Sequence, residues 1–138
     1  MTMKKILTLF TIALTVIITS CKKPEGEGGN STIIGKIHTT NYNSTFTVVN
    51  AVYDSPDQDV YIIYGTDATY GNKTKTGPDG VFEFKYLRKG NYKIYVYSKD
   101  KAAYLAGNLN PPDIAIYKEG EITAKKQTVD FGTIEIIK

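Results

Sequence analysis

Two nearby runs of the chain alternate with a period of two: Val81-Phe82-Glu83-Phe84-Lys85-Tyr86 and Tyr92-Lys93-Ile94-Tyr95-Val96-Tyr97. Successive side chains of a β-strand point to opposite faces. The first run therefore carries Phe82, Phe84 and Tyr86 on one face and mostly charge on the other, the pattern of a half-buried strand with its aromatic face inward. In the second run Tyr92, Ile94 and Val96 share one face, and Lys93, Tyr95 and Tyr97 the other. Thr76-Gly77-Pro78-Asp79-Gly80 precedes the first run. Proline presets φ and glycine accepts positive φ there, which predicts a hairpin. Arg88-Lys89-Gly90-Asn91 turns the chain between the two runs. With 11 Tyr, 5 Phe, 12 Gly and no Trp, the composition also favours strands and turns over helices.

The rest of the chain has the same character. Ser31–Thr39 and Val60–Tyr64 read as strands, with Val60, Ile62 and Tyr64 on one face and Tyr61 and Ile63 on the other. The long stretch Asn41–Asp59 lies between them, and Thr45–Tyr53 offers an edge strand. Lys101–Leu109 has the one helical pattern outside the N-terminal segment, at most two turns ending near Gly107, and Pro111-Pro112 forbids its continuation. Ile114–Tyr117 and Glu121–Thr123 flank a kink at Lys118-Glu119-Gly120. In Gln127–Ile137, Val129 and Phe131 are out of phase with Ile134 and Ile136, so a bulge is expected near Gly132. At 138 residues this is one domain, and strands punctuated by turns in this way are the pattern of an all-β sandwich or barrel, here with one short helix.

The N-terminal segment has a different character. Lys4 and Lys5 precede an uncharged run from Ile6 to Ser20, shorter and richer in Thr than a membrane span, and Cys21 follows at once. Residues 1–20 are therefore expected to be a secretory leader, 21–30 a flexible tether rich in Gly and Glu, and 31–138 the all-β domain. Ile18-Thr19-Ser20-Cys21 resembles the lipobox of bacterial lipoproteins. In that family the cysteine is acylated and becomes the first residue, and several acyl chains together anchor stably. The resemblance implies lipidation at Cys21 and a place in the cell envelope, anchored in the outer membrane. The formal charge is +3, and removing Lys4 and Lys5 lowers it by two, too balanced for a nucleic-acid footprint.

Thr76–Val96, T-G-P-D-G-V-F-E-F-K-Y-L-R-K-G-N-Y-K-I-Y-V, resembles the carboxypeptidase regulatory-like module, also called transthyretin-like or prealbumin-like, as found in small lipoproteins of the Bacteroidota. Gly35-Lys36-Ile37 and Val60-Tyr61-Ile62 fit its first two strands. The resemblance implies a seven-stranded antiparallel Greek-key sandwich with the Val60 and Tyr92 strands in one sheet. It also implies a non-catalytic module without cofactor. A hydrolase relative of that family ends in Tyr-Arg-Gly-Ser and uses several histidines, whereas this chain has His38 alone and ends Ile-Glu-Ile-Ile-Lys.

The residues themselves point the same way. His38 has no G-x-S-x-G or cysteine partner in sequence and reads as a surface or edge histidine. Zinc would need three or four Cys/His ligands and two exist. Asp54, Asp57, Asp59 and Asp67 flank the Val60 strand, either as oxygen ligands for calcium or as solvated loop acids. Tyr92, just past a turn, is expected to be a buried corner residue hydrogen-bonded to backbone. The binding candidates are Tyr61, Tyr95 and Tyr97 with Lys93, expected on one exposed face where rings with polar tips suit a glycan or an envelope protein. The plain alternative is cross-strand packing. The functions in view are a lipid-anchored binding module, a structural subunit of an envelope complex and, less favoured, a hydrolase.

Overall fold

The computed structural model describes residues 23–138, and the leader and Cys21 lie outside them. Within the described residues eight strands and one helix follow in order: β1 (Glu27–Tyr42), β2 (Val49–Asp54), β3 (Asp59–Tyr64), β4 (Asn72–Lys75), β5 (Val81–Leu87), β6 (Gly90–Ser98), α1 (Lys101–Leu105), β7 (Ile114–Ile122) and β8 (Thr128–Ile137). They form two four-stranded sheets, one ordered β4-β3-β6-β7 and the other built on the long β1. β5 and β2 pair antiparallel with successive parts of β1, and β8 runs parallel to it. The all-β sandwich stands. It has eight strands rather than seven: β2 falls in the stretch that offered an edge strand, β4 was not expected, and the β1–β8 pair is parallel rather than antiparallel.

Alternation builds the core. Ile33 and Ile37 of β1, Phe82 and Phe84 of β5, and Ile134 and Ile136 of β8 meet Val60 and Ile62 of β3 and Ile94 and Val96 of β6. β3 and β6 pair with Tyr61 opposite Tyr95, as expected from the Val60 and Tyr92 strands sharing a sheet. Gly132, at φ 68°, marks the expected bulge in β8, where the register against β1 shifts between Ile34 and Lys36.

Several local expectations are corrected. Tyr86 does not continue the inward face. It takes φ 59° and is 69% exposed, and this bulge turns Leu87 into the core in its place. Thr76–Gly80 is a turn, with Gly77 N–H donating to the Val81 carbonyl at 2.8 Å, but not a hairpin. β4 pairs with β3 and β5 with β1, so the turn carries the chain from one sheet to the other. The Gly80 carbonyl docks it on β1 by accepting from Ile37 N–H at 2.9 Å. β7 runs unbroken through Lys118-Glu119-Gly120, and Gly120 is needed because a Cβ there would sit 2.5 Å from the Phe131 ring. The helix is shorter than its pattern. Asp100 caps it by accepting from Ala103 N–H at 2.9 Å, and Gly107 at φ 104° ends it.

The segment read as a tether is partly structure. β1 begins at Glu27, four residues before its expected start at Ser31. The glycines that suggested flexibility permit close approach instead. Gly28 lies against the Arg88 guanidinium, and Gly29 lies on the backbone of Leu87 and Arg88. Tyr92 locks this corner. Its hydroxyl donates to the Arg88 carbonyl at 2.7 Å and accepts from Gly26 N–H at 3.0 Å. Tyr92→Phe leaves both backbone groups without that partner and should lower the unfolding free energy by about 1 to 3 kcal/mol. A denaturation midpoint equal to that of the parent would remove the corner role.

Candidate binding surface

The outer face of the β4-β3-β6-β7 sheet follows from register. Tyr61 of β3 lies opposite Tyr95 of β6, which lies opposite Tyr117 of β7, and Lys73 of β4 completes this row across four strands. The next row is Ile63, Lys93 and Glu119, and Tyr97 faces Ala115 on the other side. All four expected binding residues, Tyr61, Lys93, Tyr95 and Tyr97, therefore share one face.

The rings touch. Tyr61 stacks on Tyr95 with centroids 4.9 Å apart and planes at 10°, and Tyr97 meets both edge-on at 5.8 and 5.7 Å. Two tyrosines that sequence reasoning passed over join them: Tyr70 stands edge-on to Tyr61 at 5.1 Å, and Tyr117 leans on Tyr95 at 5.5 Å. Tyr117 was within reach of the alternation argument, since β7 continues the sheet. Tyr70 arrives from the β3–β4 loop, for which period two says nothing.

One expectation changes. Tyr95 is only 8% exposed, while Tyr97 and Tyr117 are 47% and 53% exposed. Tyr95 occupies the middle strand with rings on both sides, so it is the buried centre of the face rather than a free contact. Burial first, then the neighbouring hydroxyls of Tyr97, Tyr61 and Tyr117, push its phenol up to about 12 from the ordinary 10.0. Tyr64, packed on Tyr92 with Glu27 nearby, is also pushed up to about 12, mainly by burial. Folding thus favours the neutral phenols. The stability they contribute is complete below pH 10 and is lost as pH rises toward 12. Tyr95→Phe, which cannot ionise, should lessen that alkaline loss in denaturant titrations, and an equal loss in the variant would contradict this.

Polar groups border the rings. Lys93 binds Glu119 at 2.8 Å, and this carboxylate raises the lysine's pKa. The Lys93 ammonium also lies 5.6 Å from the Tyr117 ring centre. Beyond this pair the face runs into a shallow hollow of about 400 Å³ lined by Asn91, Lys93, Glu119 and Glu121.

The four aspartates do not assemble. Asp54 binds Lys36 at 2.6 Å and His38 at 2.9 Å, hydrogen bonds that hold its carboxyl below the ordinary range. Asp57 binds Lys75 at 2.9 Å, and Asp59 has Lys73 at 4.0 Å. Asp67 sits in the turn after β3, its N–H donating to the Tyr64 carbonyl. Among the described residues no group of three or more His, Cys, Asp or Glu is placed to hold a metal ion. His38 is a half-buried partner of Asp54 on β1.

A second concave feature lies at the opposite edge of the sandwich, a groove of about 700 Å³ lined by Tyr42, Leu105, Ile114, Ile116 and Ile137. Tyr42, in its wall, contacts Phe46, and Phe46 contacts Tyr104. The sequence contained no warning of it, because its walls come from β1, β6, α1, β7 and β8.

No protein-family model matches the chain, and no curated protein matches it. Among solved structures, the chain is similar to a putative carbohydrate binding protein from Pseudomonas aeruginosa, at 12% identity and a TM-score of 0.43, over 82% of this chain and 91% of that one.

Proposed function

We propose that this protein is a non-enzymatic, lipid-anchored envelope protein whose tyrosine face binds a carbohydrate. The observation that carries the reading is the five-ring cluster around Tyr95, with exposed Tyr70, Tyr97 and Tyr117 at its rim. A buried aromatic centre with an accessible rim is the architecture of binding hot spots. Phenol rings offer apolar faces to the C–H surfaces of a sugar and hydroxyl tips to its polar groups. The adjoining hollow adds Lys93, Asn91 and Glu119 as charged and amide partners for hydroxyls.

The lipid anchor and outer-membrane location rest on the Ile18-Thr19-Ser20-Cys21 motif behind its basic, apolar leader. Cys21→Ala should abolish incorporation of labelled fatty acid and leave the precursor uncut. Normal labelling of that variant would refute the anchor.

A glycan array probed with the purified protein tests the binding reading. Retention of a defined class of polysaccharide supports it. No glycan retained, alongside a stoichiometric envelope protein in a pull-down, would replace the carbohydrate with a protein partner and favour the subunit role.

A further inference from the structure

We infer that the pole of the sandwich where the chain begins its first strand binds the phosphate-bearing headgroups of anionic lipids in the membrane that holds the protein. This rests on the proposed anchor at Cys21. Three segments meet at that pole: the start of the described chain, the β5–β6 turn and the β7–β8 turn. They enclose a hollow of about 410 Å³ lined by Lys23, Asn30, Ser31, Arg88, Lys89 and Lys125, with no carboxylate in its wall.

The charges there are unspent. Among the described residues, Lys36, Lys73, Lys75, Lys85, Lys93 and Lys99 each have a carboxylate partner, and none of Lys23, Arg88, Lys89 and Lys125 takes part in a salt bridge; Lys101, Lys118, Lys126 and Lys138 have none either, but here four such cations line one hollow. Glu25 and Glu121 lie in the neighbouring hollow, on the β6–β7 side of Lys23 and Lys89. Lys23 and Lys89 thus line both hollows, with the two carboxylates in one and Arg88 and Lys125 in the other. Arg88 is also held in place. Its guanidinium lies over Gly28, and its Nη1 donates to the Pro24 carbonyl at 3.3 Å. An arginine fixed in this way suits phosphate, which its planar donors match.

The position follows from chain length. A ten-residue tether would have let the sandwich move about 35 Å from the bilayer. With Pro24 and Gly26 already bonded to the β5–β6 corner, only Lys22 separates Cys21 from Lys23, a span of about 7 Å. That is inside the screening length of about 8 Å at physiological salt. The basic pole is thus kept within the field of the headgroups, and each nearby cation strengthens attachment to an anionic surface.

The test uses the full-length protein in neutral detergent micelles, with its mass recording whether Cys21 is acylated. Short-chain phosphatidylglycerol, short-chain phosphatidylcholine and inorganic phosphate are titrated in turn, and amide chemical shifts are followed. The expected result is saturable shifts at Gly28–Ser31, Arg88–Lys89 and Lys125 with phosphatidylglycerol and none with phosphatidylcholine. The Arg88→Gln/Lys89→Gln/Lys125→Gln variant should bind about a hundredfold more weakly. Lys89→Gln/Lys125→Gln, which spares the Arg88 contacts to the fold, should bind at least about tenfold more weakly. Equal binding of the two lipids, or full affinity in the double variant, would overturn the proposal. Inorganic phosphate binding as tightly as the lipid would assign the site to a free anion and overturn the headgroup reading. An unacylated protein that still binds phosphatidylglycerol at this pole would sink the anchor and not the site.

Discussion

Alanine in place of Gly29 is expected to lower the unfolding free energy by about 3 kcal/mol or more. A Cβ at this position would clash with the Leu87 carbonyl group and lie 2.6 Å from the Arg88 nitrogen. Both are backbone atoms, so no rotamer change relieves the clash. The first residues of β1 would have to lift off the β5–β6 corner. That would break the Arg88 N–H bond to the Gly26 carbonyl at 2.9 Å and the Gly26 N–H bond to the Tyr92 hydroxyl. Gly77→Ala is the control, because its new methyl would meet first the side-chain oxygen of Asp79 at 3.1 Å, which can move. Denaturant melts of the two variants decide the matter. A Gly29→Ala protein as stable as its parent would mean that this segment is a loose tether after all.

Tyr95→Ala is the second large effect. It should cost about 3 kcal/mol of fold stability, the scale of removing a buried aromatic ring. Tyr97→Ala should cost less than about 1 kcal/mol, because that ring is half exposed and sits at the edge of the cluster. The asymmetry matters for any functional assay. A variant lacking Tyr61, Tyr95 and Tyr97 together would lose binding through a weakened sheet as readily as through a lost contact, so the rim residues are the ones to change. Equal melting temperatures for Tyr95→Ala and Tyr97→Ala would show that Tyr95 is not the centre of the face.

Period-two alternation carried most of the fold that was legible in the sequence. It placed β5 and β6 and put Tyr61, Lys93, Tyr95 and Tyr97 on one face. The phase break between Phe131 and Ile134 also located the Gly132 bulge. What it missed has identifiable causes. β4, Asn72-Lys73-Thr74-Lys75, is wholly polar because it is an edge strand with little buried surface, so no hydrophobic pattern marks it. Tyr86 leaves the pattern through one positive φ, which local composition does not encode in a tyrosine.

Glycine was the most ambiguous letter. Gly28 and Gly29 read as linker, and Gly120 as a kink, yet each exists to let another group come close. Deciding between freedom and close approach needs the neighbour, and the neighbours, Leu87, Arg88 and Phe131, are distant in sequence for Gly28 and Gly29 and on another strand for Gly120. The aspartates failed for a related reason. Proximity along the chain suggested a cluster, but Asp54 is tied to β1 by Lys36 and His38 while Asp57 turns to Lys75. Long-range pairing, which separates them, is invisible to spacing. The parallel β1–β8 pair is another such case, since the alternation of a strand is the same whichever way its partner runs.

If the tyrosine face is where this protein meets its ligand, the affinity of Tyr97→Ala/Tyr117→Ala for the glycan that the array identifies is the measurement that shows it. Both rings are at the rim and about half exposed, so the variant should keep the parent's melting temperature within a few degrees. Its binding should weaken by about 2 kcal/mol, roughly thirtyfold in Kd. A folded double variant that binds the same glycan with unchanged affinity would contradict the account and leave the five tyrosines as packing between strands.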